Sequence, residues 1–135
     1  MNPSRLLTRL DAAIASTQSQ VKADGYRAER AGYLARLGRL DEARQVLSSL
    51  HMQYASHPHA VMSAWLAWAD GLLSYYSDMG KMARDKMRRA FALSGAARDM
   101  QLHALAAAWL SLFDFAANDF ESSGRNIKVA FDTAA

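Results

Sequence analysis

The 135-residue chain repeats its pattern of apolar and small residues at an interval of forty. Apolar residues recur in two sets at this spacing, which are Leu7, Leu47, Met87 and Ile127, and, three residues later, Leu10, Leu50, Ala90 and Ala130. A period of this length is typical of stacked helix pairs, in which no pair buries its own apolar stripe and the neighbouring pairs supply the missing surface. The repeat therefore predicts a solenoid of helices.

Small residues recur at the same interval. They form the sets Ala31, Gly71 and Ser111, and Ala43, Ala83 and Ser123, and the turn positions Gly38, Asp78 and Asn118 fall in register with them. Small side chains at fixed offsets allow two helices to approach closely. We therefore expect each pair to be tightly packed at these positions.

Amino-acid composition agrees with an all-α fold. The chain has 27 Ala and 16 Leu but only nine residues of Val, Ile and Thr together, so the strongest helix formers dominate and the β-branched residues that favour strands are scarce. Hydrophobic residues at 51% and charged residues at 21% exclude a disordered chain. One all-α domain is predicted.

The positions of capping and breaking residues predict seven helices joined by short turns. A single helix over residues 1–22 would begin at Asn2 or Ser4 and end at Asp24-Gly25, and three helix pairs would follow over residues 23–57, 58–97 and 98–135. The fifth helix would close at Ser94-Gly95. Short turns of this kind join antiparallel neighbours.

The segment from Ala31 to Leu47 resembles the central part of a tetratricopeptide repeat, with turn residue Gly38, acidic residue Asp41 and second-helix Ala43. Weaker versions follow at a distance of forty and eighty residues, and the resemblance spans about residues 23–131. It implies a right-handed solenoid, and the long period is similar to the extended repeats of bacterial regulatory and signalling proteins. HEAT-like pairs remain the structural alternative for this period.

The tetratricopeptide resemblance implies a concave groove lined by the first helix of each pair. The residues it places there are Trp65, Trp68, Leu72, Tyr75, Tyr76, Leu105, Leu112, Phe115 and Arg36. A peptide or amphipathic helix of a partner protein would bind this aromatic groove, in a non-catalytic adaptor, chaperone or regulatory scaffold. The alternative is that these aromatic residues belong to the core.

Basic residues are concentrated in the predicted fifth helix. Six basic residues lie between residues 78 and 98 against two acidic ones, and Lys81, Arg84, Arg88 and Arg89 form the candidate basic surface. Such a surface is usually solvated. The second functional hypothesis is a regulatory repeat segment of a bacterial transcriptional or signalling protein that faces an anion or nucleic acid, although a protein partner is the main expectation.

Residues with catalytic or metal-binding chemistry are few. The four histidines lack the spacing of a zinc site, and we expect them in loops and helix caps. Asp70 and Asp114 lie inside apolar helices, where we expect each to face the groove, to lie near a helix end, or to pair with an arginine such as Arg36. Since no phosphate loop, nucleophile elbow or Cys is present, we expect no enzyme activity, metal or cofactor.

The two ends of the chain suggest location and assembly. Arg9 and Asp11 interrupt the first apolar run, so no signal peptide is predicted, and no apolar stretch suits membrane insertion; a cytoplasmic protein is expected. The last helix carries more large apolar residues than one inner stripe needs, namely Phe120, Ile127, Val129 and Phe131. We therefore expect another element to cover this helix, with a homodimer as the first expectation and a partner protein or further residues of a longer chain as the alternatives.

Overall fold

The computed structural model describes residues 3–134, and these residues form seven α-helices and no strand. The helices are α1 (Pro3–Ser16), α2 (Gln20–Arg36), α3 (Leu40–Ala55), α4 (Ala60–Tyr76), α5 (Gly80–Ala96), α6 (Met100–Ala116) and α7 (Phe120–Ala134). The prediction of an all-α helical repeat is confirmed.

The forty-residue period is present in the helix boundaries themselves. Helices α2, α4 and α6 begin at residues 20, 60 and 100, and α3, α5 and α7 begin at residues 40, 80 and 120. The turn inside each pair carries one residue with positive φ, which is Gly38 at 83°, Asp78 at 60° or Asn118 at 62°. Glycine and asparagine or aspartate tolerate this left-handed conformation best, which explains why the three positions align in the sequence.

Small residues bring the two helices of a pair together, as the sequence predicts. A Cβ atom added to Gly71 would lie 3.0 Å from Cε of Met87 and 3.5 Å from the carbonyl oxygen of Ala83. In the third pair the Ser111 hydroxyl donates to the carbonyl oxygen of Ser123, and the Ser123 hydroxyl donates to the carbonyl oxygen of Ser111, each at 2.8 Å. The α6–α7 crossing is therefore held by reciprocal hydrogen bonds.

Packing runs from each helix to its neighbours in the chain. The α4–α5 and α6–α7 pairs pack extensively, α4 also packs along α2, and α6 packs along α5. Contacts between α3 and α4 are sparser, and the backbones of α3 and α5 do not approach each other within the described residues. The core is continuous through the molecule, with fully buried Leu34, Trp68, Met87 and Leu102 along its length.

Two of the predicted helix boundaries are wrong. Asp24-Gly25 lies inside α2, and the break falls instead before Gln20, where the Ser19 hydroxyl accepts a hydrogen bond from the Lys22 amide. Gly25 is needed for packing, because a Cβ there would lie 3.4 Å from the Trp65 ring. Of the two candidate caps for the first helix, Ser4 lies within α1, and Asn2 lies outside the described residues.

Ser94-Gly95 does not end the fifth helix either. Both residues lie in the last turns of α5, where the Ser94 hydroxyl donates to the carbonyl oxygen of Phe91 at 3.1 Å. A Cβ on Gly95 would lie 3.0 Å from the imidazole of His103, so this glycine makes room for a side chain of α6. The predicted start of the sixth helix is accurate, since the Asp99 carboxylate caps α6 by accepting from the Leu102 amide.

Candidate interaction surface

Two residues of the predicted groove are core residues. Trp68 and Leu72 are fully buried, so they cannot contact a partner at the surface, and their assignment to an open groove is wrong. The cause is the close approach of α4 to α2, where Gly32 leaves space for both side chains. Tyr33 and Trp65 add edge-to-face contacts with the Trp68 ring at centroid distances of 5.6 and 5.4 Å.

The aromatic residues near the end of α4 are half-buried and pack on one another and on α6. Tyr75 stacks on Phe113 with ring centroids 4.7 Å apart, and Tyr76 meets Tyr75 edge to face at 5.1 Å. The Arg36 guanidinium lies over the ring of Trp109 at 5.9 Å. Contacts of aromatic rings therefore join α2, α4 and α6, and they cover part of the surface of these side chains.

The most exposed members of the predicted groove lie on α6. Leu112 and Phe115 are 44% and 59% exposed, and Phe115 meets Phe120 of α7 edge to face at 5.2 Å. Leu105 lines a shallow apolar depression of about 370 Å³ together with Ala108 of α6 and residues of α7. We call the surface formed by Leu105, Ala108, Ile127 and Phe131 the α6–α7 face.

The α6–α7 face differs from the matching surfaces of the first two pairs. Forty and eighty residues earlier, the counterparts of Ile127 are Met87 and Leu47, which are buried, whereas Ile127 is 40% exposed. Each earlier pair is followed by a helix that packs on it, since α4 packs on α2 and α3, and α6 packs on α5 and on the edge of α4. Phe131, at 72% exposure, has no such cover.

The predicted basic surface does not act as one unit. The Arg84 guanidinium is held between two carboxylates, with Nε 2.6 Å from Oδ1 of Asp114 and Nη2 2.5 Å from Oδ2 of Asp119. Arg88 lies 3.7 Å from Asp85 on its own helix. Lys81 and Arg89 are exposed, but Lys81 borders the Tyr75–Phe113 stack, whereas Arg89 borders a separate pocket next to α3.

The two intrahelical aspartates have partners other than Arg36. Asp114 is fully buried and, besides its ion pair with Arg84, accepts from the Ser122 hydroxyl at 2.8 Å and from the Asn126 amide at 2.7 Å. Oδ2 of Asp70 lies 2.7 Å from Nε2 of His51, and burial raises the pKa of this carboxyl despite the opposing effects of His51 and Lys86. The expected pairing with an arginine is confirmed for Asp114, where the partner is Arg84 and not Arg36, whereas Asp70 pairs with His51 instead.

The other histidines are not arranged for metal binding. The His103 ring stacks on Phe91 at 4.2 Å, and its Nδ1 is 2.9 Å from the carbonyl oxygen of Phe91. His59 precedes α4 but its side chain makes no capping hydrogen bond. Between residues 3 and 134, no group of three His, Asp or Glu side chains could hold a metal ion, and no helix there is long and apolar enough to cross a membrane.

Sequence reasoning missed the most highly bonded carboxylate of the first pair. Asp24 is buried and accepts hydrogen bonds from Tyr54 at 2.5 Å, Gln53 and Arg27 at 2.8 Å, and Gln20 at 3.0 Å. Tyr54 and Gln53 lie about thirty residues further along the chain, on α3. No local pattern marks such a contact, because an aspartate followed by glycine normally indicates a turn.

Known proteins add no further assignment. Comparison of the chain with models of protein families, with curated proteins and with solved structures finds no match.

Proposed function

We propose that this chain is a non-catalytic protein-interaction module, built on tetratricopeptide-like repeats, that receives an amphipathic helix of a partner protein on the α6–α7 face. The observation that carries the proposal is the exposure of Ile127 and Phe131, which line one apolar depression with Leu105 and Ala108 of α6. The Ile127 and Phe131 side chains are 40% and 72% exposed. Contiguous apolar surface of this kind typically marks an interaction site on a protein.

A helix is the occupant that fits the repeat. Both earlier pairs pack against the helix that follows them, α4 mainly on α2 and α6 mainly on α5, so a helix is the element that covers an exposed pair in this fold. Helix α6 meets its neighbours through a stripe of buried residues, which is Leu102, Ala106, Leu110 and Phe113. An occupant of the α6–α7 face needs a comparable stripe, with apolar side chains about every three to four residues.

A synthetic peptide with the sequence of α6, residues 98–118, is a suitable probe. We expect it to bind the full chain in a fluorescence anisotropy titration, and Ile127→Glu or Phe131→Glu to weaken binding at least about tenfold, because a buried unpaired carboxylate costs more than 1.4 kcal/mol. Both positions are exposed, so circular dichroism should show unchanged helicity. Met52→Glu, at a 79% exposed apolar position on α3, is the matched control.

Equal peptide binding by the parent and both α6–α7 variants would contradict the proposal. Sedimentation at micromolar concentration identifies a different occupant, the predicted second copy of the chain. In that case the parent would sediment as a dimer, and Phe131→Glu would sediment as a monomer while Met52→Glu would not change the mass.

A further inference from the structure

A second candidate site lies away from the α6–α7 face, in the gap between α3 and α5. The backbones of these two helices do not approach each other, so part of α4 forms the floor of an open pocket of about 500 Å³. We call it the α3–α5 pocket. Its volume falls within the range of about 300–1,000 Å³ that is typical of small-molecule sites.

The polar side chains of the α3–α5 pocket give it a net positive charge. Lys86 and Arg89 line the α5 side, while His51 lines the α3 side and Asp70 lies on the floor. The one carboxylate is already bonded to His51 at 2.7 Å. Within residues 3–134, neither Lys86 nor Arg89 forms an ion pair with an acidic side chain.

Lys86 is held in place, whereas Arg89 is free to adjust. The half-buried ammonium group of Lys86 donates to the Ser74 hydroxyl at 3.1 Å, and the Arg89 side chain is exposed. Since the two residues are three positions apart on α5, they lie on the same face of the helix, and both line the pocket. A dianionic group can neutralise both cations, and a phosphate has enough oxygen atoms to accept from both.

Apolar residues line part of the pocket. Ala55 at the end of α3 and Pro58 in the turn before α4 are exposed, whereas Leu66 and Ala67 of α4, which also line it, are almost fully buried. Ala55 and Pro58 offer a surface for the body of a ligand whose head is charged. The chemistry of the pocket therefore suits a small molecule with both parts.

We propose that the α3–α5 pocket binds a small phosphate monoester, with the phosphate against Lys86 and Arg89 and an apolar body against Ala55 and Pro58. This site is independent of the α6–α7 face. Phenyl phosphate is the probe, and inorganic phosphate and phenol test the contributions of its body and its head. Calorimetric titration at low salt measures each affinity.

Arg88 supplies the matched control, because it is adjacent to Arg89, carries the same charge, and does not line the pocket. We expect Arg89→Gln to weaken phenyl phosphate binding at least about tenfold, as the loss of one charge-assisted hydrogen bond implies, and Arg88→Gln to change it less than about twofold. Lys86→Gln should act like Arg89→Gln. Inorganic phosphate and phenol should each bind more weakly than phenyl phosphate.

Three outcomes would overturn the proposal. Equal losses of affinity in Arg88→Gln and Arg89→Gln would mean that phosphate binding depends on the overall positive charge of α5 and not on this pocket. If phenyl phosphate binds no more tightly than inorganic phosphate, the apolar residues of the pocket do not contribute to binding. If no saturable binding is seen in the millimolar range, the pocket is not a phosphate site. Because Arg89 is exposed, its variant should retain the parent's melting temperature, which keeps the comparison valid.

Discussion

Buried carboxylates connect the helices of this chain at the level of single residues. Asp24 joins α2 to α3 through Tyr54 and Gln53, and Asp114 joins α6 to α5 and α7 through Arg84 and Asn126. A buried carboxylate is tolerated only when its lone pairs are satisfied, and Asp24 accepts four hydrogen bonds and Asp114 three across their two oxygens. These two aspartates therefore have structural roles.

Asp24 makes the stability of the first pair depend on pH. Burial alone would raise the pKa of its carboxyl, but the hydrogen bonds from Tyr54, Gln20, Arg27 and Gln53 together lower it. A lowered folded-state pKa adds stability above the ordinary value near 3.9, and this stability is lost as the pH falls through the folded-state pKa.

We expect Asp24→Asn to lower the free energy of unfolding by about 2–4 kcal/mol at pH 7, since it removes the charge from a buried set of four donors. The difference from the parent should shrink as the pH falls below the ordinary pKa of the carboxyl. Urea denaturation at a series of pH values measures both effects. Asp41→Asn, at an exposed ion pair with Arg44, should change stability by less than about 1 kcal/mol, and an equal loss there would contradict this role for Asp24.

At the scale of helices, replacing a glycine inside a helix by alanine should have opposite effects on stability at Gly32 of α2 and at Gly124 of α7. A Cβ on Gly32 would lie 2.6 Å from the Trp68 ring and 2.9 Å from Leu72, and both neighbours are buried, so neither can move away easily. Gly124 of α7 has no heavy atom within 4 Å of the same point.

We therefore expect Gly32→Ala to destabilise the chain by about 1–3 kcal/mol through overpacking of the α2–α4 contact. Gly124→Ala should stabilise it by about 0.5–1 kcal/mol, because alanine has the higher helix propensity. Thermal unfolding of the two variants measures the signs. A stabilised Gly32→Ala variant would show that α2 and α4 can separate without cost.

The helices were more predictable from the sequence than their ends. The period of forty residues located the three turns at Gly38, Asp78 and Asn118, since an apolar stripe and a left-handed turn residue both leave local patterns. Asp24-Gly25 and Ser94-Gly95 carry the same composition as a turn, yet their glycines serve packing against Trp65 and His103. That need arises from residues on other helices, which a local pattern does not contain.

At the scale of the whole molecule, the two halves are packed unequally. Helices α4 to α7 form a series of extensive contacts, whereas α3 meets α2 and α4 over less surface and leaves the α3–α5 pocket open. Repeat proteins unfold in units whose stability depends on their neighbour contacts. We therefore expect the first pair to unfold at a lower free energy than the later pairs.

We expect amide hydrogen exchange to be faster in α3 than in α5, because α3 packs less extensively than α5 on its two neighbouring helices. Asp24→Asn should speed exchange further in α2 and α3 and leave α6 and α7 unchanged. Mass spectrometry of peptic fragments resolves these regions. Uniform exchange across α3 and α5 would mean that the chain opens as one cooperative unit.

The groove was the least predictable feature, because the exposure of its residues also depends on contacts with other helices. Amino-acid sequence shows that α4 is apolar on more than one side, but which side is covered depends on how closely α2 approaches it. Gly32 decides this by admitting Trp68 and Leu72 into the core. On α6, which touches α4 only at its edge, Leu112 stays exposed.

The exact spacing of the helix starts also has a genetic consequence. Because α4 and α6 begin forty residues apart, and α5 and α7 likewise, unequal recombination between the corresponding stretches of the gene would gain or lose whole sets of forty codons. Such an event would preserve the reading frame, the turn residue and the positions of the apolar stripe in every remaining pair. The chain can therefore change length in steps of one helix pair, with only the side chains at the new junction left to adapt.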